Sequence, residues 1–446
     1  MIRSAEAAAA RCRSLVQAGS ALAVRPLDEV LRALGAACAR WANPLDPDRQ
    51  AGEAALAAHW GVDRAAMATV LDAAFPQWTT TALRGWIAGE LGDPAVLEGF
   101  APSGGGRRWA NAPRLVVALA ARGVPTTPVG DLLAALVLRS PIWLKPAAGA
   151  DDLASRFAAT LAAIDPGLGA AVETDPFGVG TPAESIALGA ADVIVATGRA
   201  ETITALQSTL AAAGRGAAGD ARLIVHGPRL SVALVTRDAL ASDHDGVIER
   251  LADDVAFAGQ MGCLSPVVTY VEGDGPSLDV LAEPLWTACC ARWPVSGRAA
   301  GTPAERTAWA AWAAVAAVDG VAGRAGKSWG GADSGWTVEV REREEAPDAP
   351  PIPRVVRLIP LTDAADAARL CAERRGLISS VGIEASAERA AELVAGLAHA
   401  GVERLAPLGQ LQRPPLAWRR DGRATLAELV RWVDWEAASP PAIPPA

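Results

Sequence analysis

The sequence predicts an α/β protein with two parallel-sheet domains, helices on both sheet faces, and a helical lobe ahead of them. Three observations carry that reading. The first hundred residues repeat apolar positions three and four apart and hold few β-branched residues. From Arg114, short apolar runs alternate with helical patterns, the spacing of a parallel sheet covered on both sides. A second alternation begins near residue 240, and 446 residues exceed one compact domain.

In the lobe (residues 1–99), helices are expected over Ser4–Leu22, Leu27–Trp41, Gly52–His59, Arg64–Phe75 and Thr79–Leu91. The turn pairs Asn43-Pro44 and Asp46-Pro47 separate the second from the third. In the first α/β domain (100–235), Leu115–Ala120 reads as a buried strand, followed by the turn Arg122–Pro128. Thr127 suits an N-cap and Pro128 the first helical position. A second strand, Pro141–Pro146, ends in Lys145. Thr181-Pro182-Ala183-Glu184 reads as a capping box opening a helix. The strand Asp192–Ala196 then leads to Thr197-Gly198-Arg199, and strand Arg222–Val225 leads to His226-Gly227. Ligands of such sheets bind at strand carboxyl ends, which is where Lys145 and Thr197-Gly198 are expected.

In the second domain (236–405), a helix over Val247–Phe257 runs into Gly259–Pro266, with the strand Val267–Glu272 right after it. A helix over Pro276–Arg292 follows, and Thr302-Pro303-Ala304-Glu305 opens another. Lys327–Ser334 is glycine-rich and reads as a loop. Strands over Trp336–Val340, Arg354–Ile359 and Leu377–Ile383 and two more helices complete the domain. The segment 406–446 is expected to return to the first domain through a helix from Thr425, with a frayed tail over 437–446.

The charge balance is 41 basic against 50 acidic residues, a net −9. No basic block interleaved with aromatics occurs, which argues against nucleic acid as a partner. No apolar run of about 18 residues predicts a membrane span, and Ala7–Ala10 is too short for a signal core. A soluble, cytoplasmic protein without a membrane anchor is expected. The six cysteines lack zinc-type spacing, as do the four histidines, so no metal is expected.

Cys263 is the candidate nucleophile. Gly262 precedes it and Pro266 closes the turn, so the sulfur can be exposed with backbone N–H groups nearby. Those groups lower a thiol pKa and can hold an oxyanion. The structural alternative is a cysteine filling a loop core. Cys12, Cys38, Cys289, Cys290 and Cys371 fall in helical or helix-edge patterns and read as core or surface. Ser103–Gly106 follows no strand and reads as a flexible loop, and there is no P-loop.

The segment Phe257–Pro266 resembles the nucleophile segment of the acyl-CoA reductases related to the fatty-acid reductase of bacterial luciferase systems. That family is a divergent branch of the aldehyde dehydrogenase superfamily. The resemblance spans roughly residues 110–436. It takes in Lys145-Pro146, Ala191–Gly198, His226-Gly227 with Ser231, Trp336-Thr337-Val338 and Arg354. It continues through Gly401–Arg404, Pro407-Leu408-Gly409, Pro414-Pro415, Trp418, Asp421-Gly422 and a helix through Trp432.

The resemblance implies an aldehyde-dehydrogenase-like fold and reduction of an acyl thioester, from acyl-CoA or acyl-carrier protein, to an aldehyde through a thioacyl-Cys263 intermediate. It implies NADPH rather than NADH, held by Lys145, Thr197 and Gly198, with Gly123 at the oxyanion turn; Arg199, His226 and Gly227 join the cofactor candidates by their place at strand ends, and Gly262 the oxyanion turn by its place before Cys263. It also implies a homodimer or larger homo-oligomer. One departure stands out: Gly123 occupies the place of the superfamily's oxyanion asparagine, and losing such a donor can cost about 100- to 1000-fold in rate. Two other functions stay open: a thioester hydrolase or acyltransferase using Cys263 with His226 as base, and a non-catalytic binding or structural relative.

Overall fold

The computed structural model describes residues 1–212, 221–294, 303–321, 325–331, 334–350 and 352–436. The expected helices of the first hundred residues are present as Ala5–Ala23, Leu27–Ala42, Pro47–Trp60, Arg64–Ala74 and Thr80–Leu91. Ser4 and Thr79 cap two of them by accepting from the Ala7 and Ala82 N–H groups.

The chain divides into two compact units. The first comprises 1–52, 74–227 and 415–446, and the second 53–73 and 228–414. The helical region of residues 1–99 is shared between the two units, and the first unit's middle segment ends at 227. Leu230–Val235 belongs to the second unit as a central strand of its sheet.

Two sheets belong to the first unit. A three-stranded antiparallel sheet pairs β1 (Ala101–Ser103), β2 (Gly106–Asn111) and β15 (Arg431–Trp435) in that order. The Ser103–Gly106 segment is thus a tight hairpin rather than a loose loop, with Gly104 and Gly105 supplying the two positive φ values of its turn. The helix expected through Trp432 ends at Leu429, and the chain continues as β15 along β2. The aromatic and β-branched residues Trp432, Val433 and Trp435 favour this extended form.

The larger sheet is parallel, in the order β5 (Val172–Glu173), β4 (Ile142–Lys145), β3 (Val116–Leu119), β6 (Val193–Thr197), β7 (Arg222–His226). Strand order reverses between β3 and β6, which opens a crevice at their carboxyl ends. One sheet face carries Val117, Trp143, Ile194 and Ala196 into a core with the helices Ala5–Ala23 and Pro182–Ala190.

Two expected caps differ in detail. Thr126, not Thr127, is the N-cap of Thr127–Val137, without a side-chain capping bond. Thr181 is an N-cap, but its hydroxyl donates to Gly178 O, and Glu184 accepts from the Gly180 N–H instead of closing the box.

The second unit holds a seven-stranded sheet. Its order is β10 (Ala325–Gly331), β11 (Trp336–Arg341), β12 (Val355–Leu361), β9 (Pro266–Glu272), β8 (Leu230–Val235), β13 (Ile378–Glu384), β14 (Arg404–Pro407). All neighbours are parallel except β10 and β11. The glycine-rich stretch expected as a loop is therefore largely strand β10, an antiparallel edge with an irregular register that tolerates its glycines. Tyr270, Ile359 and Val381 anchor the core on one face, beneath the helices Asp366–Ala372 and Ala387–His399. The Thr302 cap and the tail 437–446 lie outside the described residues. Among the described residues, no helix is long and apolar enough to cross a membrane.

Candidate active site

In the second unit, the helix His244–Ala256 ends in a turn that carries Cys263 to the amino end of β9. Ala258, Gly259 and Gln260 have φ values of 48°, 61° and 61°. Three consecutive left-handed residues are sterically costly when two of them bear a Cβ. The surrounding contacts impose the conformation. Gln260 is buried, and its Nε2 donates to Pro266 O at 2.9 Å and Val355 O at 3.0 Å. Its Oε1 accepts from the Val355 N–H at 3.0 Å. One side-chain amide thereby ties the turn to both β9 and β12. At Gly259 a Cβ would lie 2.7 Å from Trp293 Nε1, so glycine is required by space and favoured by φ.

Further bonds hold the rest of the turn. Ser231 Oγ, on β8, donates to Cys263 O at 2.6 Å. The Ser265 N–H donates to Gly262 O at 3.2 Å. Gln412 Nε2 donates to Asp254 O at 2.7 Å and to Ser265 Oγ at 3.3 Å. Asp254 is fully buried and accepts from the Gly409 N–H at 2.6 Å and the Leu411 N–H at 3.0 Å. Burial pushes its pKa up to about 7, against the pull of those N–H groups.

At the tip of this braced turn Cys263 is exposed, and Gly262 is half-buried. The other five cysteines differ from it. Burial pushes the thiols of Cys38 and Cys371 up to about 12 and raises those of Cys12, Cys289 and Cys290. They are poor nucleophiles for that reason.

The remaining sequence-predicted residues lie in the first unit. Gly123 is in the bend after β3, and Lys145 ends β4. The Lys145 ammonium stands 5.6 Å from the centroid of the Phe177 ring. Burial lowers its pKa, opposed by the nearby Glu184 carboxylate. Thr197 ends β6, and Gly198 and Arg199 lead into the helix Ala200–Ala212, with Arg199 exposed. Gly198 and Gly227 are close in the fold because β6 and β7 are adjacent: the Gly198 N–H donates to His226 O at 3.1 Å. A Cβ on Gly227 would meet only open space.

His226 is buried, and its Nδ1 lies 2.5 Å from Asp421 Oδ2. Arg420 reaches both Thr197 Oγ1 and Asp131. Sequence reasoning gave no role to Gln260, Asp254, Gln412, Asp131, Arg420 or Asp421. Their signal is a partner far along the chain, which no local pattern reveals. Among the described residues, no group of three or more His, Cys, Asp or Glu side chains could hold a metal ion.

The sequence model of a family described as "Acyl-CoA reductase (LuxC)" matches residues 22–432. No curated protein matches the sequence. Among solved structures, the chain is similar to an NAD-dependent benzaldehyde dehydrogenase from Corynebacterium glutamicum, with a TM-score of 0.70 and 16% identity over 98% of this chain and 90% of that one. It is also similar to a putative aldehyde dehydrogenase PutA from Anabaena variabilis, with a TM-score of 0.70 and 14% identity over 98% and 94% of the two chains. A third is aldehyde dehydrogenase 21 from Physcomitrella patens, with a TM-score of 0.68 and 14% identity over 96% and 90%. At these identities the likeness shows the fold, which is that of the aldehyde dehydrogenases.

Proposed function

The chain belongs to the acyl-CoA reductase (LuxC) family, an aldehyde-forming acyl-thioester reductase with an aldehyde dehydrogenase fold, and from that premise we propose that Cys263 is its nucleophile and NADPH its reductant. The observation that carries the proposal is the contrast among the cysteines. Five thiols have pKa values raised by burial, while Cys263 is exposed on a strained, fully braced turn.

In this reading the Cys263 thiolate attacks the carbonyl carbon of an acyl thioester. The CoA or carrier-protein thiolate leaves, and the acyl group stays on Sγ. The oxyanion is held by backbone N–H groups of the thiol turn, including the region of Gly262. The bracing by Gln260, Ser231 and Ser265 keeps Sγ positioned through acylation and release.

The fit of a nicotinamide cofactor rests on the first unit. Thr197, Gly198 and Arg199 lie at a strand carboxyl end, ahead of a helix N-terminus. Gly227 beside them leaves open space, and His226 borders the same edge. Lys145 and Arg199 supply positive charge for a 2′-phosphate, which favours NADPH over NADH. When bound, the reduced nicotinamide supplies the hydride that turns the acyl carbon into an aldehyde.

A cytoplasmic homodimer or larger homo-oligomer is part of the same proposal. A monomer by light scattering at working concentration would contradict that part. The reaction is tested by following absorbance at the reduced-nicotinamide band with a panel of acyl-CoAs, alongside thiol release. Cofactor oxidation coupled to thiol release, faster with NADPH than with NADH, is the expected result. Thiol release without oxidation would reassign the protein as a hydrolase or transferase.

A further inference from the structure

The carboxyl ends of β6 and β7 are fastened by a segment from far along the chain. Arg420 Nη2 donates to Thr197 Oγ1 at 3.2 Å, across 223 positions. Arg423 Nη2 donates to Val225 O at 2.7 Å. Between them Asp421 Oδ2 meets His226 Nδ1 at 2.5 Å, and the two side chains are only 4% and 10% exposed. His226 O accepts from the Gly198 N–H, so the backbone of the Thr197–Gly198 turn is held through both of its neighbours.

Arg420 is itself steadied by Asp131, 3.7 Å away on the helix Thr127–Val137. Burial raises the Asp131 pKa, with Arg420 and His226 opposing it. Arg423 Nη1 lies 3.4 Å from Glu428 Oε2. Asp421 holds a φ of 55°, a conformation that non-glycine residues keep only where the surroundings impose it. A small cavity beside Asp131, His226 and Arg420 has about 20 Å³, room for about one water molecule. Arg420 and Asp421 spend these atoms on Thr197 and His226, so they act on the turn that carries Gly198.

We propose that Arg420 and Asp421 are positioning residues for the nicotinamide cofactor. They fix the Thr197–Gly198 turn and the His226 backbone, so that the amides ahead of the helix Ala200–Ala212 face the cofactor pyrophosphate. The proposal rests on the reading that this turn borders the cofactor. Linkage makes the effect reciprocal: if the segment orders the turn, cofactor binding orders the segment.

Two measurements on the full chain test this: NADPH titration by intrinsic fluorescence, and hydrogen exchange with and without NADPH. In the unaltered protein, NADPH should slow exchange at Gly198 and Arg199 and also across 420–423. Arg420→Gln and Asp421→Asn should each weaken NADPH binding about 10-fold, the loss of one charged hydrogen bond. Arg420→Lys should recover part of that affinity. Thr197→Val, which removes the acceptor from the other side, should add little to Arg420→Gln, because both delete one interaction. Unchanged affinity in both Arg420→Gln and Asp421→Asn, with protection at Gly198 and Arg199 intact, overturns the inference. Lack of protection at Gly198 and Arg199 in the unaltered protein removes the underlying reading instead. If Asp421→Asn does not fold, the Arg420/Thr197 cycle decides, and full additivity there counts against the proposal.

Discussion

The turn that carries Cys263 and the turn Thr197–Gly198 are both immobilised, but by different chemistry. Around the first, three left-handed residues are held mainly by neutral groups: the Gln260 and Gln412 amides and the Ser231 and Ser265 hydroxyls. Around the second, the bracing groups are Arg420, Asp421, His226, Asp131 and Arg423, and the strain sits on Asp421. Neutral hydrogen bonds fix the backbone that carries the thiol. An ion network suits the anionic cofactor proposed for this turn, because arginines raise the local potential while fastening the backbone.

The comparison is sharpened first at Asp254, the ionisable member of the thiol-turn brace. Its pKa is raised from 3.8 to about 7 by burial, so the folded state binds the proton more tightly than the unfolded chain. Its contribution to stability is complete below about pH 4 and is lost as pH rises through about 7, on the order of 4 kcal/mol in total. Denaturant titrations from pH 4 to 8 should show that decline, and Asp254→Asn should flatten it. An unaltered slope in the variant would show that Asp254 stays ionised throughout.

Gln260→Ala leaves both backbone groups of Val355 and the Pro266 carbonyl without this partner, at a cost of about 3 kcal/mol in denaturant unfolding. Gln260→Gly should be milder by about 1 kcal/mol, because it relieves the left-handed φ. Equal losses would mean that the turn is not strained. Gly259→Ala places a methyl group 2.7 Å from Trp293 Nε1 and should cost about 2 kcal/mol, with slower acylation of Cys263. Unchanged stability would show that Trp293 moves freely aside.

The smallest effect is expected on the charged side. Glu184 keeps its bond from the Gly180 N–H if changed to Gln, but Lys145 loses a neighbouring negative charge. Glu184→Gln should tighten NADPH about 2- to 3-fold relative to NADH, as one partly screened charge contact would. Equal change for both cofactors would detach Lys145 from the 2′-phosphate.

Most of the fold was legible from periodicity, since β3, β4, β6, β7, β9, β11, β12 and β13 are short apolar runs followed by turn signals. The misread elements share a cause: tertiary pairing overrode local preference. The glycines of Ala325–Gly331 indicate a loop until β11 lies alongside them, and Arg431–Trp435 is extended because β2 offers it an edge. In the candidate site, Cys263 was visible through Gly262 and Pro266, which are its neighbours in sequence. Gln260 was not, because nothing local signals a positive φ at a glutamine, and Arg420 was not, because its partner is Thr197.

The central claim is that Cys263 forms the acyl-enzyme. It is tested most directly by incubating the protein with acyl-CoA in the absence of NADPH and measuring intact mass, then mapping the modified peptide. One acyl group per chain on Cys263, absent in Cys263→Ala and discharged when NADPH is added, is the predicted result. An acyl group on another residue, or one retained in Cys263→Ala, would contradict it.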